Sequence, residues 1–188
     1  READDVKHYR ISRRAQYVKQ RGHQGNAHFR GTKADIWEAG HRVPFLARWP
    51  GKVEAGGHSG RTITHTDLFA TLADVIEAEL PPPTIAAQDS FSFLPLLLGN
   101  DSDFKRAPVI HHSGGAMFAI RDGDWKLVMG NGSGGRQKPS GKRFERPWTL
   151  FNLNEDLGET LDRYNRNPDK AEQLELEALQ LIANNRSR

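Results

Sequence analysis

Residues 29–45 read FRGTKADIWEAGHRVPF, and this stretch decides how the rest of the chain is interpreted. One lysine, Lys33, lies in a glycine-containing loop, and a turn of aromatic, acidic and small residues follows it. A basic residue and a proline then lead into an apolar run that Pro50 and Gly51 close. Proline and glycine mark the ends of strands, so the pattern predicts a short buried strand over residues 43–49.

The composition is typical of part of a loop-rich enzyme. Only 36% of the 188 residues are hydrophobic, while 18 Gly and 10 Pro predict many turns and long connections. The 27 basic and 24 acidic residues give a net charge of +3, which is too small to indicate nucleic-acid binding. There is no cysteine, so a disulfide, a thiolate metal site or a cysteine nucleophile cannot be formed from these residues. No apolar run approaches the roughly 20 residues of a membrane span, and we expect none.

The first half of the chain predicts a strand followed by a helix. Thr66 and Asp67 are suitable N-cap residues for a helix over residues 66–76, whose apolar side chains at 68, 69, 72, 75 and 76 share one face. Three prolines at 81–83 end this helix and form a stiff linker. The apolar segment 90–98 predicts a short buried helix that ends at a glycine.

The second half predicts a small antiparallel sheet covered by a terminal helix. Alternating apolar residues flank the turn sequence DGD at 122–124, which indicates a hairpin. A proline at the start and an apolar stripe at 174, 178, 181 and 182 predict a helix over 168–183. The predicted strands are 108–112, 117–121, 125–129 and 148–153.

Five separated segments resemble, in the same order, elements of type I sulfatases of the bacterial arylsulfatase kind. They are the lysine loop at 33–45, the helix at 66–76, DSFSFLPLL at 89–97, HHS at 111–113 with AIRDGDWKL at 119–127, and LFNLNEDLGET at 150–160. Each segment is a weak signal by itself, whereas five in order over most of the chain form a specific match.

The resemblance implies an α/β fold: the tail of an alkaline-phosphatase-like sulfatase core, followed by a small C-terminal subdomain with an antiparallel sheet and a terminal helix. It divides the chain into the end of the core at 1–80, a linker with a short buried helix at 81–107, and the subdomain at 108–188. It also implies a periplasmic or secreted protein.

Other sulfatase features do not occur in these residues. The family's nucleophile is a formylglycine made from a Cys/Ser-x-Pro-x-Arg motif, and no such motif is present. Its calcium ligands include an Asp-Asn pair shortly before the lysine, and residues 1–32 contain none. Asp4 and Asp5 imitate the family's first acidic pair but lack the apolar strand that precedes it. We therefore expect the C-terminal portion of a sulfatase, with its nucleophile and Ca²⁺ ligands upstream, and no activity from this fragment alone.

By this resemblance Lys33 is the catalytic residue that contacts the sulfate group. An ammonium is a compact charge with three donors, which suits the oxygens of a sulfuryl group. His111 and His112 are predicted to bind substrate, the alternative being that one packs inside and the other is exposed. His23 and His28 either line the pocket mouth or belong to a mobile loop. Arg42 is expected to fix the lysine loop by bonding either backbone carbonyls or a carboxylate such as Glu38.

The predicted partner is a sulfated small molecule or carbohydrate, and the residues do not decide between them. An alternative from another class is a non-catalytic module that binds sulfated or other anionic glycans. The polar loop at 131–146, which contains five Lys and Arg residues, either steers anionic, sulfated substrates or is simply a solvated loop.

Overall fold

The computed structural model of the chain describes residue 22 and residues 25–188. Its helices are α1 (Glu38–His41), α2 (Asp67–Val75), α3 (Leu94–Leu97) and α4 (Pro168–Asn184), with 3₁₀ turns at Asp101–Asp103 and Tyr164–Arg166. Its strands are β1 (Val109–His112), β2 (Phe118–Asp122), β3 (Trp125–Met129) and β4 (Thr149–Asn152). None of the helices in these ranges is long and apolar enough to cross a bilayer.

The four strands form one antiparallel sheet in the order β1-β2-β3-β4, as the sequence predicts. Ile120 lies opposite Leu127, and Leu127 lies opposite Leu150, so one apolar row crosses three strands. Gly123 and Asp124 connect β2 to β3, and Gly123 takes the left-handed conformation that such a tight turn favours. This hairpin is the most regular part of the fold.

Helix α4 covers one face of the sheet and confirms the predicted terminal helix. Its inward stripe of Ala171, Leu174 and Ala178 packs against the apolar row of the sheet and against Trp148, all of them buried. Apolar alternation in the strands and helical spacing in α4 therefore produce one core between two layers.

The opposite face of the sheet is covered by the lysine-containing segment. Ile36 and Trp37 form a second buried cluster with Met117, Val128 and Phe151. The Trp37 and Phe151 rings meet edge to face, with centroids 5.9 Å apart. The segment around Lys33 is thus held on the small sheet, although it is far from the sheet in sequence. The domain boundary expected near residue 81 stays a prediction.

The predicted buried strand at 43–49 is wrong for this chain. The segment has no regular secondary structure, and Val43 and Leu46 are 56% and 93% exposed. A strand requires a neighbour for its backbone N–H and C=O groups. Within residues 25–188 the four strands pair only with one another, so nothing in the described part pairs with this run.

Helix α2 is confirmed, but its apolar face does not lie in a core. Its buried residues are Asp67, Ala70 and Thr71, whereas Leu72 and Phe69 are 60% and 55% exposed. The side chain of Thr66 makes no capping hydrogen bond. The segment predicted as a buried helix at 90–98 is helical only at 94–97, where the side chains are half-buried.

Candidate functional site

Lys33 lies in a tight turn whose backbone is fixed and whose side chain is exposed. The Asp35 N–H donates to the Thr32 carbonyl oxygen at 2.9 Å, and the Thr32 N–H donates to the Asp35 carboxylate at 2.9 Å. These reciprocal bonds close the turn over residues 32–35, with Ala34 at a positive φ of 85°. The ammonium of Lys33 is therefore presented to solvent from a constrained backbone.

The turn is bound to two neighbouring loops. The buried Asp35 carboxylate accepts hydrogen bonds from the N–H groups of Arg136 and Gln137 at 2.5 and 3.0 Å. The Ile36 N–H donates to the Ser133 carbonyl at 2.8 Å. On the other side, the Gly114 N–H donates to the Ala34 carbonyl at 2.9 Å. Lys33 is thus placed where the 131–137 loop and the turn after β1 meet.

His111 and His112 project from opposite faces of β1. His112 is exposed, lies beside the Phe118 ring, and its Nδ1 is 2.9 Å from the Ser113 carbonyl. His111 lies against His41, with ring centroids 4.2 Å apart, and the Nε2 atom of each is buried without a hydrogen-bond partner. The structure does not bring both histidines to one place, and their predicted roles in substrate binding stay predictions.

A cleft of about 360 Å³ lies between β1, α1, segment 43–45 and the 60–65 loop. His41, His111, Arg42 and Arg121 contribute polar groups to its wall, while Lys33 and His112 are not among its lining residues. Burial, and next the charge of Lys126, lower the pKa of His41 to about 4 and that of His111 well below its usual value. Both rings are therefore neutral at neutral pH.

The carboxylate of Glu38, in α1, forms ion pairs with three cationic side chains. Arg42 Nε, Arg121 Nη1 and Lys126 Nζ lie 2.8, 2.9 and 3.1 Å from its oxygens. Burial by itself raises the pKa of this carboxyl, but the charges of Lys126 and Arg121 and the hydrogen bonds from Arg42 and Lys126 outweigh it and lower the pKa to about 2. The expected contact between Arg42 and Glu38 is present.

Sequence reasoning missed the residue at the centre of this cluster, Lys126. Its side chain is fully buried, and its Nζ lies 2.8 Å from a carboxylate oxygen of the equally buried Glu159. One signal could have found it: strand alternation places Lys126 on the same face as Val128, where an unpaired charge is prohibitively costly. Such a lysine requires an acidic partner from a distant segment.

Among the described residues, other predicted groups have simpler roles. Trp148 and Phe151 are buried core residues. Arg146 pairs with Glu175, and Lys142 pairs with Glu145, so acidic neighbours offset part of the charge of these two cations of the 131–146 loop. His28 is exposed beside Phe29. His23, Asp4 and Asp5 lie outside the described residues.

The described residues do not form a calcium site. Over 25–188, no group of three or more His, Asp or Glu side chains is arranged to hold a metal ion. The carboxylates of Glu38 and Glu159 are committed to cations of the protein itself. No catalytic step through a metal follows from these residues.

Comparison with known proteins identifies the family of the chain. The family model described as Sulfatase matches residues 9–78, which include the Lys33 turn and α2. An N-acetylgalactosamine-6-O-sulfatase of Bacteroides thetaiotaomicron is 33% identical over 135 residues, covering 72% of this chain and 24% of that protein. A steryl-sulfatase of Rattus norvegicus is 32% identical over 118 residues, covering 60% of this chain and 20% of that protein.

The chain belongs to the sulfatase family. A solved structure from work on glycosaminoglycan metabolism by Bacteroides thetaiotaomicron, BT33336S-sulf, superposes with a TM-score of 0.74 at 28% identity. The match covers 88% of this chain and 34% of that one, and it confirms the predicted fold class. This sulfatase chain spans about a fifth to a quarter of the length of the two curated relatives.

Proposed function

We propose that this chain is part of an enzyme that hydrolyses sulfate esters, and that Lys33 contacts the sulfate group of the substrate. The observation that carries the proposal is the Lys33 turn, in which a fixed backbone presents an exposed ammonium. A surface lysine in a mobile loop needs no such support. The match of the sulfatase family model to this segment supports the same role.

The chemistry explains why a fixed cation is useful at this place. Transfer of a sulfuryl group develops negative charge on the sulfuryl oxygens and on the leaving oxygen. Donors that are already in position stabilise this charge without reorganising during the reaction. The Asp35 carboxylate fixes the turn by accepting backbone N–H groups on both sides, so the turn is held through its backbone while the Lys33 side chain stays exposed.

The resemblance implies that the complete enzyme uses a formylglycine nucleophile and Ca²⁺. Neither fits the residues of this chain, which has no cysteine and, over 25–188, no metal cluster. The proposal therefore assigns both groups to the remaining length that the relatives have. It follows that the 188 residues alone should not turn over a sulfate ester, because Lys33 by itself cannot activate water.

The proposed substrate class is a sulfated carbohydrate or a sulfated small molecule. The two curated relatives named above are, by name, an N-acetylgalactosamine-6-O-sulfatase and a steryl-sulfatase. The common element of these names is the sulfate ester, which is also the group that Lys33 is proposed to contact. The rest of the substrate is not specified by the proposal.

The test is turnover by two proteins. The 188-residue chain and the whole protein encoded by the reading frame that contains it are each assayed with 4-nitrophenyl sulfate and with N-acetylgalactosamine 6-sulfate. We expect hydrolysis by the whole protein and none by the chain. Hydrolysis by neither protein, with a whole protein that is folded, would contradict the proposed activity. Hydrolysis by the chain alone would show that its active site has been misplaced.

A second candidate is a non-catalytic module for sulfated glycans. It is favoured by the position of the 131–146 loop, because Arg136 donates its N–H to Asp35 and so lies beside the Lys33 turn. Arg136 and Lys138 are both exposed and add positive charge there. Calorimetric titration of the chain with a sulfated and a desulfated N-acetylgalactosamine oligosaccharide separates the two functions. Binding that requires sulfate and is lost in R136A/K138A, without turnover by the whole protein, would favour the module.

A further inference from the structure

Lys126 forms the centre of a buried ion cluster that connects three segments far apart in sequence. Its Nζ lies 2.8 Å from Glu159 Oε1 and 3.1 Å from Glu38 Oε1, and donates to the Ile36 carbonyl at 2.9 Å. The Ile36 carbonyl and Glu38 Oε1 accept hydrogen bonds from this ammonium, and Glu159 Oε1 lies within ion-pair distance of it. The side chains of Lys126 and Glu159 are completely buried, and that of Glu38 is 4% exposed.

The cluster continues from the lysine into the backbone of the Lys33 segment. The second oxygen of Glu159 accepts the N–H of Glu38 at 2.6 Å, at the start of α1. Arg30 donates to the Glu159 carbonyl oxygen at 2.8 Å, and its guanidinium stacks on the Trp37 ring at 3.7 Å. The segment is therefore bound to the same pair, Lys126 and Glu159, on both sides of Lys33.

A general stabilising role does not explain this arrangement well. A buried ion pair contributes little net stability, because the loss of hydration offsets the attraction, and apolar replacements are often as stable. What an ion cluster with fixed hydrogen bonds can specify is geometry. Here the ordered segment has only a short helix and few buried apolar side chains of its own, chiefly Ile36 and Trp37.

We infer that Lys126 is a positioning residue for Lys33: by binding Glu38, Glu159 and the Ile36 carbonyl, it fixes the 29–41 segment on the small sheet and so sets where the Lys33 ammonium is presented. The role in catalysis rests on the proposed function. The positioning itself does not, because it is a property of the folded chain and can be measured without turnover.

The first experiment measures amide hydrogen exchange in the 188-residue chain. Lys126→Met removes the charge and keeps the length of the side chain. We expect the Ile36 and Glu38 amides to exchange at least about tenfold faster, while the amides of Leu174 and Ala178 in α4 keep their protection, since local opening is independent of global unfolding. The matched control is Lys170→Met, which removes the outer ion pair with Asp122 on the other face of the sheet.

Two outcomes of this experiment would overturn the inference. Equal loss of protection in α4 and in the 29–41 segment would mean that Lys126 only stabilises the fold. Unchanged protection at Ile36 and Glu38 would mean that the apolar contacts hold the 29–41 segment on the sheet without Lys126. If Lys126→Met does not fold, the triple variant K126M/E38Q/E159Q removes the cluster's central charges together and is compared in the same way.

The second experiment is a double-mutant cycle on kcat in the whole protein. Misplacement of a reacting group by about 1 Å can cost about 100-fold, so K126M should lower kcat by about 10–100-fold. If Lys126 acts through Lys33, K33A and K33A/K126M should have the same kcat. Once the Lys33 ammonium has been removed, a change in its position can no longer affect the rate. Additive losses would contradict a role through Lys33. A whole protein that hydrolyses no sulfate ester would contradict the proposed function, while the exchange experiment would still decide the positioning.

Discussion

The N–H of Gly114 donates a hydrogen bond to the carbonyl oxygen of Ala34 at 2.9 Å, and this bond joins the turn after β1 to the Lys33 turn. A Cβ placed on Gly114 would lie 3.0 Å from the Ala34 Cβ, so the two backbones approach as closely as glycine permits. Gly135 approaches the same turn from the other side, against the Ala34 carbonyl oxygen and the Asp35 carboxylate. Lys33 is held between these two glycine-containing loops.

A methyl group at Gly135 should therefore disturb the Lys33 turn. Gly135→Ala puts a Cβ into backbone and carboxylate atoms that cannot rotate away, and we expect a loss of about 1–3 kcal/mol in the free energy of unfolding. Gly60→Ala is the matched control, since its Cβ would meet open space, and it should change stability by less than about 0.5 kcal/mol. Urea unfolding of both variants measures the difference. Equal free energies of unfolding for Gly135→Ala and Gly60→Ala would show that the 131–137 loop moves to accommodate the methyl group at little cost.

The pH dependence of stability should report the buried histidines. Burial and the charge of Lys126 lower the pKa of His41 from 6.5 to about 4, and His111 shifts in the same direction. The unfolded chain binds these protons at higher pH than the folded chain. The stabilisation from neutral imidazole is thus complete above pH 6.5 and is lost as the pH falls towards 4.

Unfolding by urea at intervals between pH 7 and pH 4 measures this effect. We expect a steeper fall in the free energy of unfolding for the wild-type chain than for His41→Gln. His65→Gln, at an exposed histidine, should follow the wild-type curve. A His41→Gln curve with the wild-type slope would contradict the lowered pKa of His41.

The sequence was sufficient to predict the elements whose partners lie within this chain. Apolar residues alternate in the strands around residues 122–124, and an apolar stripe runs along α4. Both patterns predict correctly because the sheet and the helix bury each other's apolar faces. The strand at 43–49 was wrong for the opposite reason. The 43–49 segment is apolar, but a strand also depends on a neighbouring strand, which residues 25–188 do not provide.

The acidic partners of Lys126 could not be predicted from local pattern. Glu38 and Glu159 lie 88 and 33 residues from Lys126 in sequence, and each by itself resembles a solvated surface charge. Only the tertiary fold shows that they are buried together. The sequence places Lys33 in a glycine-containing loop and the family resemblance supplies its role, whereas the turn over residues 32–35 and its support by Asp35, Gly114 and Gly135 come from the structure.

The exposed apolar face of α2 predicts a difference between the isolated chain and the whole protein. Leu72 is 60% exposed here, so Leu72→Ser should change the stability of the chain by less than about 0.5 kcal/mol. If the remaining length of the protein covers this face, the same change should cost about 1.5–3 kcal/mol there. Leu176→Ser, at a residue of α4 that is 62% exposed, is the matched control and should be neutral in both proteins. A neutral Leu72→Ser in the whole protein would mean that the face stays uncovered.

Lys33 provides the most direct test of a single residue. If its ammonium binds the sulfuryl group mainly as charge develops, Lys33→Ala in the whole protein should lower kcat by about 10²–10³-fold, roughly 2.7–4 kcal/mol. The melting temperature should change little, because the side chain is exposed and the turn is closed by Thr32 and Asp35. Lys33→Arg should restore little activity, since a planar guanidinium does not replace a compact ammonium.

The matched control for this measurement is Lys52→Ala, at another exposed lysine that lies in a turn. It should keep the wild-type kcat, since it belongs neither to the Lys33 turn nor to the loops that bind it. Wild-type turnover by Lys33→Ala would contradict the proposed contact between Lys33 and the sulfate group. A fall in kcat together with a large fall in melting temperature would instead assign Lys33 to the fold, because a residue that acts only on the developing charge leaves the folded state unchanged.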